Sequence, residues 1–194
     1  MAAYDEATNL ADAEQLALLL QLLNDFPKPT LGLINGAAYG GALELMACCD
    51  GVISADHASF CLSEVRIGLI PAVISPFVIN RIGLSWGRHL MTSAPVFNAQ
   101  QALSYGLVHQ VVAFDALTLA KDQWTLMTLN NSSKAITHIK KLLQEFNTQS
   151  PLAEKNLAST QIKMTQAIAK SRLSLSGKAG ITAFLTKTQA LWKE

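Results

Sequence analysis

Residues 29–44 read Pro29-Thr-Leu-Gly-Leu-Ile-Asn-Gly-Ala-Ala-Tyr-Gly-Gly-Ala-Leu-Glu44. Thr30 to Ile34 is a short apolar run with the length of a buried strand. Asn35-Gly36 breaks it, and Gly40-Gly41 leads into a helix predicted from about Ala42 to Cys48. A strand, a glycine turn and a helix start, in that order, gather backbone N–H groups at the positive end of the helix. Such an end holds a phosphate or a developing oxyanion. No Lys-Ser/Thr follows the glycines, so a P-loop is excluded. The spacing G-x-x-x-G-G also departs from the G-x-G-x-x-G of a dinucleotide site. The oxyanion reading stands beside a plainer one, in which Gly40 and Gly41 only allow close helix packing.

Two carboxylates weigh on that choice. Glu44 sits in the otherwise apolar helix Ala42-Leu-Glu-Leu-Met-Ala-Cys-Cys49. It is either solvated on one face, favoured by the helix dipole, or buried for a purpose. Glu64 lies in Phe60-Cys-Leu-Ser-Glu-Val-Arg-Ile-Gly-Leu-Ile-Pro71, where it either pairs with Arg66 at the surface or lines a pocket. Two isolated carboxylates beside an oxyanion hole match what a hydratase needs: one activates water, the other exchanges a proton with carbon.

Before this segment, the chain to about Asp25 reads as an amphipathic helix with Leu16, Leu19, Leu20 and Leu23 on one stripe, stopped by Pro27 and Pro29. After it, Gly51–Ala55 and Ser59–Leu62 read as strands. Val73–Ile82 is a helix ended by Gly83, and Ser85 opens another to about Thr92. Asn98 and Gln101 form a capping-box-like start, Gly106 ends that helix, and Leu107–Val112 is a last strand. Only helices follow: Asp115–Asn130, Ser133–Phe146, Ser150–Lys170 with Pro151 at its first position, and Ile181–Trp192. The expected organisation is α/β over residues 1–112 and all-α over residues 113–194.

Gly83-Leu-Ser-Trp-Gly87 fits G-x-S-x-G, but a nucleophile elbow needs a strand before its serine and a helix is predicted there. His57, His89, His109 and His138 have no metal-ligand spacing, and no metal site is expected. Cys48, Cys49 and Cys61 read as reduced, buried thiols. Of 194 residues, 50% are hydrophobic and 15% charged, against roughly 25% charged in an average soluble protein. Such a chain is expected to cover apolar surface with copies of itself. Fifteen basic residues nearly balance fourteen acidic ones, so nucleic acid is not an expected partner. No signal peptide or membrane-spanning stretch is visible, which leads us to expect a cytoplasmic protein.

The ordered set of motifs resembles the crotonase (enoyl-CoA hydratase/isomerase) superfamily over nearly the whole chain. It runs from Lys28-Pro-Thr and Asn35-Gly-Ala-Ala-Tyr-Gly-Gly-Ala-Leu-Glu-Leu45 through Cys49-Asp50, Ala58-Ser-Phe60 and Glu64-Val-Arg-Ile-Gly-Leu-Ile-Pro71. Phe97-Asn-Ala99, Ala102, Gly106-Leu-Val108 and Gly180-Ile-Thr-Ala-Phe184 complete it. Residues 62–76 further resemble bacterial methylglutaconyl-CoA hydratases of leucine breakdown. The resemblance implies a spiral of ββα turns followed by a helical trimerisation region, assembled as a homotrimer or hexamer. It implies an acyl-CoA substrate and reversible hydration of a 2-enoyl-CoA thioester. It calls for no cofactor, coenzyme A being part of the substrate. Glu44 and Glu64 match the two catalytic glutamates, and Gly41 matches a donor of the oxyanion hole. Pro71 and Ala72 fall on the acyl pocket wall, where Pro71-Ala-Val-Ile-Ser75 replaces a commoner glycine-rich run. Phe184 and Lys187 match positions that touch coenzyme A bound to a neighbouring subunit. The family's N-terminal strands are not seen, nor is its Ala/Gly-rich segment with the second oxyanion donor, and this sequence begins about where the next helix belongs. The rival expectation is therefore a catalytically impaired assembly module with half an oxyanion hole.

Overall fold

The apolar run after Pro29 forms β1 (Leu31–Ile34) of a parallel sheet in the computed structural model, which describes residues 5–147, 157–190 and 192. β1 is preceded by α1 (Glu6–Asn24), capped by Asp5, whose carboxylate accepts the Thr8 N–H at 2.8 Å. Leu20 is buried and Leu16 and Leu23 are half-buried, but Leu19 is 51% exposed. The buried stripe of α1 is thus narrower than its leucine spacing predicts.

Two three-stranded sheets follow. One has the order β1, β3 (Gly51–Ala55), β6 (Gln110–Val112), all parallel, with Leu31 opposite Gly51 and Ile53 opposite Gln110. The other joins β2 (Ala38–Tyr39) in parallel to β4 (Ser59–Cys61), which runs antiparallel to β5 (Phe97–Asn98). β3 is buried along its whole length, as a central strand covered on both faces must be. An added Cβ at Gly51 would lie 2.8 Å from Trp124 Nε1, so glycine is needed where α5 (Leu117–Leu129) lies on that strand.

The helix α2 (Gly41–Ala47) follows the glycine turn. α3 (Ser75–Ser93) is two helical stretches broken at Gly83, whose φ of 75° and ψ of 162° are open to glycine. Ser85 therefore follows a helix and not a strand, and the nucleophile-elbow reading fails. The capping box of α4 (Ala99–Ser104) is present: Asn98 accepts the Gln101 N–H and Gln101 accepts the Asn98 N–H, each at 2.9 Å. β6 is shorter than predicted because Leu107 and Val108 donate to the Ala102 carbonyl, closing α4. The buried core of these layers includes Leu43, Val52, Phe60, Ile74, Val78 and Leu107.

The chain divides into two compact units, Met1–Thr125 and Leu126–Glu194, and the division falls inside α5. The second unit holds α6 (Ser133–Asn147), α7 (Leu157–Leu173) and α8 (Leu175–Thr186). The predicted helix Ile181–Trp192 is misplaced. Ser174 accepts the Gly177 N–H at 3.0 Å and starts α8 six residues earlier, and Lys187, at φ 56°, ends it. Trp192 instead lies against Gly180, where an added Cβ would be 3.1 Å from its ring, and donates its indole N–H to the Asn130 carbonyl at 2.9 Å. Pro151 lies outside the described residues.

Candidate active site

Register brings the two carboxylates together. β2 pairs with β4 in parallel, Ala38 opposite Phe60 and Tyr39 opposite Cys61, so the residues that follow each strand are neighbours. After β2 comes Gly40-Gly41; after β4 come Leu62, Ser63 and Glu64. Gly40 holds the turn by donating to the Cys61 carbonyl at 3.3 Å. Its φ of 49° with ψ of −121° is a conformation for which glycine is the natural residue. An added Cβ there would lie 3.8 Å from Glu64 Oε1 and 3.9 Å from Ser63 Oγ.

Gly41 opens α2, and a Cβ added to it meets no atom within 4 Å. The start of the helix at Gly41 is therefore open space, which favours the oxyanion reading over close packing.

Glu44 is on the inner face of α2, with Leu43, Met46 and Ala47, and only 8% exposed. The solvated-face alternative is therefore excluded. Burial raises its pKa above the usual carboxylate value, and the nearby charge of Glu64 raises it further. Glu64 begins a 3₁₀ turn, Glu64–Ile67, which Gly68 ends at φ 77°. Both of its carboxylate oxygens are buried without a hydrogen-bond partner. Arg66, the expected surface partner, turns instead to the Ala94 carbonyl, to which it donates at 2.6 Å. An unpaired buried carboxylate is costly, and such costs cluster where they serve chemistry.

Pro71 is half-buried and Ala72 exposed, in the loop that runs from Glu64 to α3. The Ala72 N–H donates to the Ile70 carbonyl at 2.8 Å, and the Pro71 carbonyl accepts from Ser75 at 3.0 Å. Phe184 and Lys187 belong to the second unit; Phe184 is 81% exposed at the end of α8. That unit has its own cavity of about 740 Å³, walled by Ile136, Ile139, Leu175, Ile181 and Trp192 among others, and none of the predicted site residues lines it.

Two residues escaped the sequence reading. Arg81 is half-buried and donates to the carbonyls of Ala47, Cys49 and Leu107, fastening the C-terminal end of α2. As the only charge between Arg66 and Arg88, in an apolar helix, it gave a usable signal. Ser63 gave none, because its position over Gly40 depends on strand register. Near Arg81 the Cys48 thiol is pushed up to about 12, mainly by burial, which makes it a poor nucleophile. No cluster of metal-ligating side chains occurs among the described residues, and none of their helices is long and apolar enough to cross a membrane.

The chain as a whole has relatives among known proteins. An enoyl-CoA hydratase from Shewanella pealeana superposes with a TM-score of 0.89 at 40% identity, over 98% of this chain and 69% of that one. A carnitinyl-CoA dehydratase of Citrobacter koseri is 27% identical over 180 residues, 87% of this chain and 64% of its own length. An enoyl-CoA hydratase of Alternaria alternata is 38% identical over 104 residues, 52% of this chain and 35% of its own. The chain thus spans from about a third to just under two thirds of the length of these two curated relatives. The sequence model of the enoyl-CoA hydratase/isomerase family matches residues 2–194. With that match, and with the crotonase-type α/β fold and helical C-terminal region in place, the chain belongs to the enoyl-CoA hydratase/isomerase family.

Proposed function

We propose that this chain carries the reacting groups of an acyl-CoA hydratase that adds water reversibly to a 2-enoyl-CoA thioester. One observation carries the reading: two carboxylates, one on a buried side chain and one with buried oxygens, close enough that the charge of Glu64 raises the pKa of Glu44, beside an open helix start at Gly41.

In the addition, the water oxygen bonds to the β-carbon while one carboxylate takes a proton from it. The π electrons of the double bond move toward the α-carbon and the thioester carbonyl. Negative charge grows on that carbonyl oxygen, where the Gly41 N–H donates a hydrogen bond at the positive end of α2. The other carboxyl group delivers a proton to the α-carbon and the carbonyl re-forms. The pair ends with as many protons as it began, so the same groups run the reaction in reverse. Such a pair must hold one proton near neutrality. The shift at Glu44 favours that state, since two adjacent carboxylates resist ionising together. No electrons pass to an oxidant or reductant, so the chemistry calls for no redox cofactor.

The remaining assignments belong to the same proposal. Pro71 and Ala72 line the acyl end of the pocket, and a branched acyl group such as 3-methylglutaconyl fits the resemblance of residues 62–76. Phe184, exposed on α8, and Lys187 reach coenzyme A held by another copy in a homotrimer or hexamer. The test is hydration of crotonyl-CoA and of branched 2-enoyl-CoA thioesters, followed by loss of the enoyl-thioester absorbance. Saturable turnover of at least one is expected. Turnover of none would favour the assembly-module reading and end this one.

A further inference from the structure

Both carboxylate oxygens of Glu64 are buried and neither is hydrogen-bonded, so no bond of its own fixes the direction of that side chain. Its placement falls to the 3₁₀ turn that carries it. The backbone bonds around this turn are local: Arg66 donates to the Ser63 carbonyl and Leu69 to the Glu64 carbonyl, each at 3.0 Å. Val65, Ile67, Leu69 and Ile70 are exposed, so apolar burial does little to hold it. Among the described residues, one side-chain hydrogen bond ties the turn to another element. It runs from the Arg66 guanidinium to the Ala94 carbonyl at 2.6 Å.

Ala94 is buried and caps the C-terminal end of α3 in the left-handed region, at φ 45° and ψ 46°. A residue other than glycine is strained there, and strain of this kind points to function. The C-terminal end of a helix is its negative pole, so a guanidinium at that carbonyl makes a charge-assisted bond. The same oxygen accepts from Cys61 Sγ at 3.4 Å. One carbonyl therefore holds a residue on each side of Glu64. Where Arg66 points matters as much as its grip. A guanidinium paired with Glu64 would favour the ionised carboxylate and oppose a proton shared with Glu44. Bonded to Ala94, it leaves Glu44 to feel the charge of Glu64. Resting on the hydratase reading above, we propose that Arg66 is a positioning residue for Glu64, holding its turn against the Ala94 carbonyl so that the two glutamates act together. Arg66 touches no substrate and exchanges no proton.

The experiment measures crotonyl-CoA hydration by the full chain carrying Arg66→Met, alone and in a Glu64→Gln background. A reacting group misplaced by about 1 Å loses up to about a hundredfold in rate. Arg66→Met alone should therefore lower kcat about ten- to a hundredfold, with KM kept within about threefold. In the Glu64→Gln background it should change kcat by less than about threefold, because the group it positions is already gone. Arg66→Lys keeps a cation for the same carbonyl and should recover part of the loss. Arg66→Gln, a milder change, is carried through the same cycle and should show the same dependence on Glu64, so the test stands even where Arg66→Met fails to fold. Arg66→Met or Arg66→Gln folded and within about threefold of wild type overturns the role and leaves the hydratase reading standing. Equal losses in both backgrounds also overturn it, by showing that Arg66 acts other than through Glu64. A wild-type chain that hydrates no enoyl-CoA thioester overturns the hydratase reading and this role with it.

Discussion

Alanine at Gly40 and at Gly41 should move stability in opposite directions, although the two glycines are adjacent. At Gly40, φ is 49° and ψ is −121°, outside the basins open to an L side chain. The Cβ itself would meet only ordinary contacts, at 3.8 and 3.9 Å. The whole cost is therefore backbone strain, about 1–3 kcal/mol. For a chain of this size that corresponds to a fall in Tm of roughly 2–12 °C. At Gly41 the φ is not positive, the residue opens a helix, and a Cβ meets nothing within 4 Å. Alanine there reduces the freedom of the unfolded chain and should stabilise by about 0.4–1 kcal/mol. The same methyl group would project into the open space proposed for the thioester, so Gly41→Ala should hydrate poorly while melting higher. Circular dichroism melts of the two variants, with crotonyl-CoA hydration measured on the same samples, check both. A Gly41→Ala variant that melts as low as Gly40→Ala would refute the open helix start on which the oxyanion assignment rests.

Three further outcomes follow from the packing. His109 Nδ1 accepts the Val52 N–H at 3.0 Å, and burial, with the charge of Arg81, lowers its pKa below the usual 6.5. The folded state then binds fewer protons than the unfolded one, so stability should fall as pH drops below about 6.5 and level off below the folded pKa. His109→Phe should remove that slope, read as urea midpoints at pH 7.5 and 5. Arg81→Met leaves the carbonyls of Ala47, Cys49 and Leu107 without their donor and should cost at least about 2 kcal/mol in urea unfolding, and Arg81→Lys should recover only part of it. Asn98→Ala opens the capping box of α4 and should cost about 1 kcal/mol by the same measurement.

Features fixed by neighbouring residues are legible in the sequence itself. The Gly40-Gly41 turn, the Asn98–Gln101 box and the break at Gly83 each follow from the chemistry of one or two residues, and the structure has all three. Where a distant residue decides, local spacing misleads. Trp192, sixty-two residues from the Asn130 carbonyl that it caps, ends up against Gly180 and not at the end of a helix. Leu19 fits the α1 spacing, yet α1 buries a narrower face than a full leucine stripe. The burial of Glu44 could not be read from its helix alone, since an acid near a helix start is favoured by the dipole wherever it faces. Ser63 was invisible for a similar reason: it meets Gly40 only through the pairing of β2 with β4.

The central claim is that Glu44 and Glu64 act as one unit in adding water. A double-mutant cycle with Glu44→Gln and Glu64→Gln, read as kcat/KM for crotonyl-CoA hydration, tests it most directly. Each single variant should keep its fold and lose roughly a hundred- to ten-thousand-fold. The double variant should lose little more than the worse single one, because both groups serve one step. A Glu64→Gln variant within a few-fold of wild type, or losses that simply multiply in the double variant, would contradict the account.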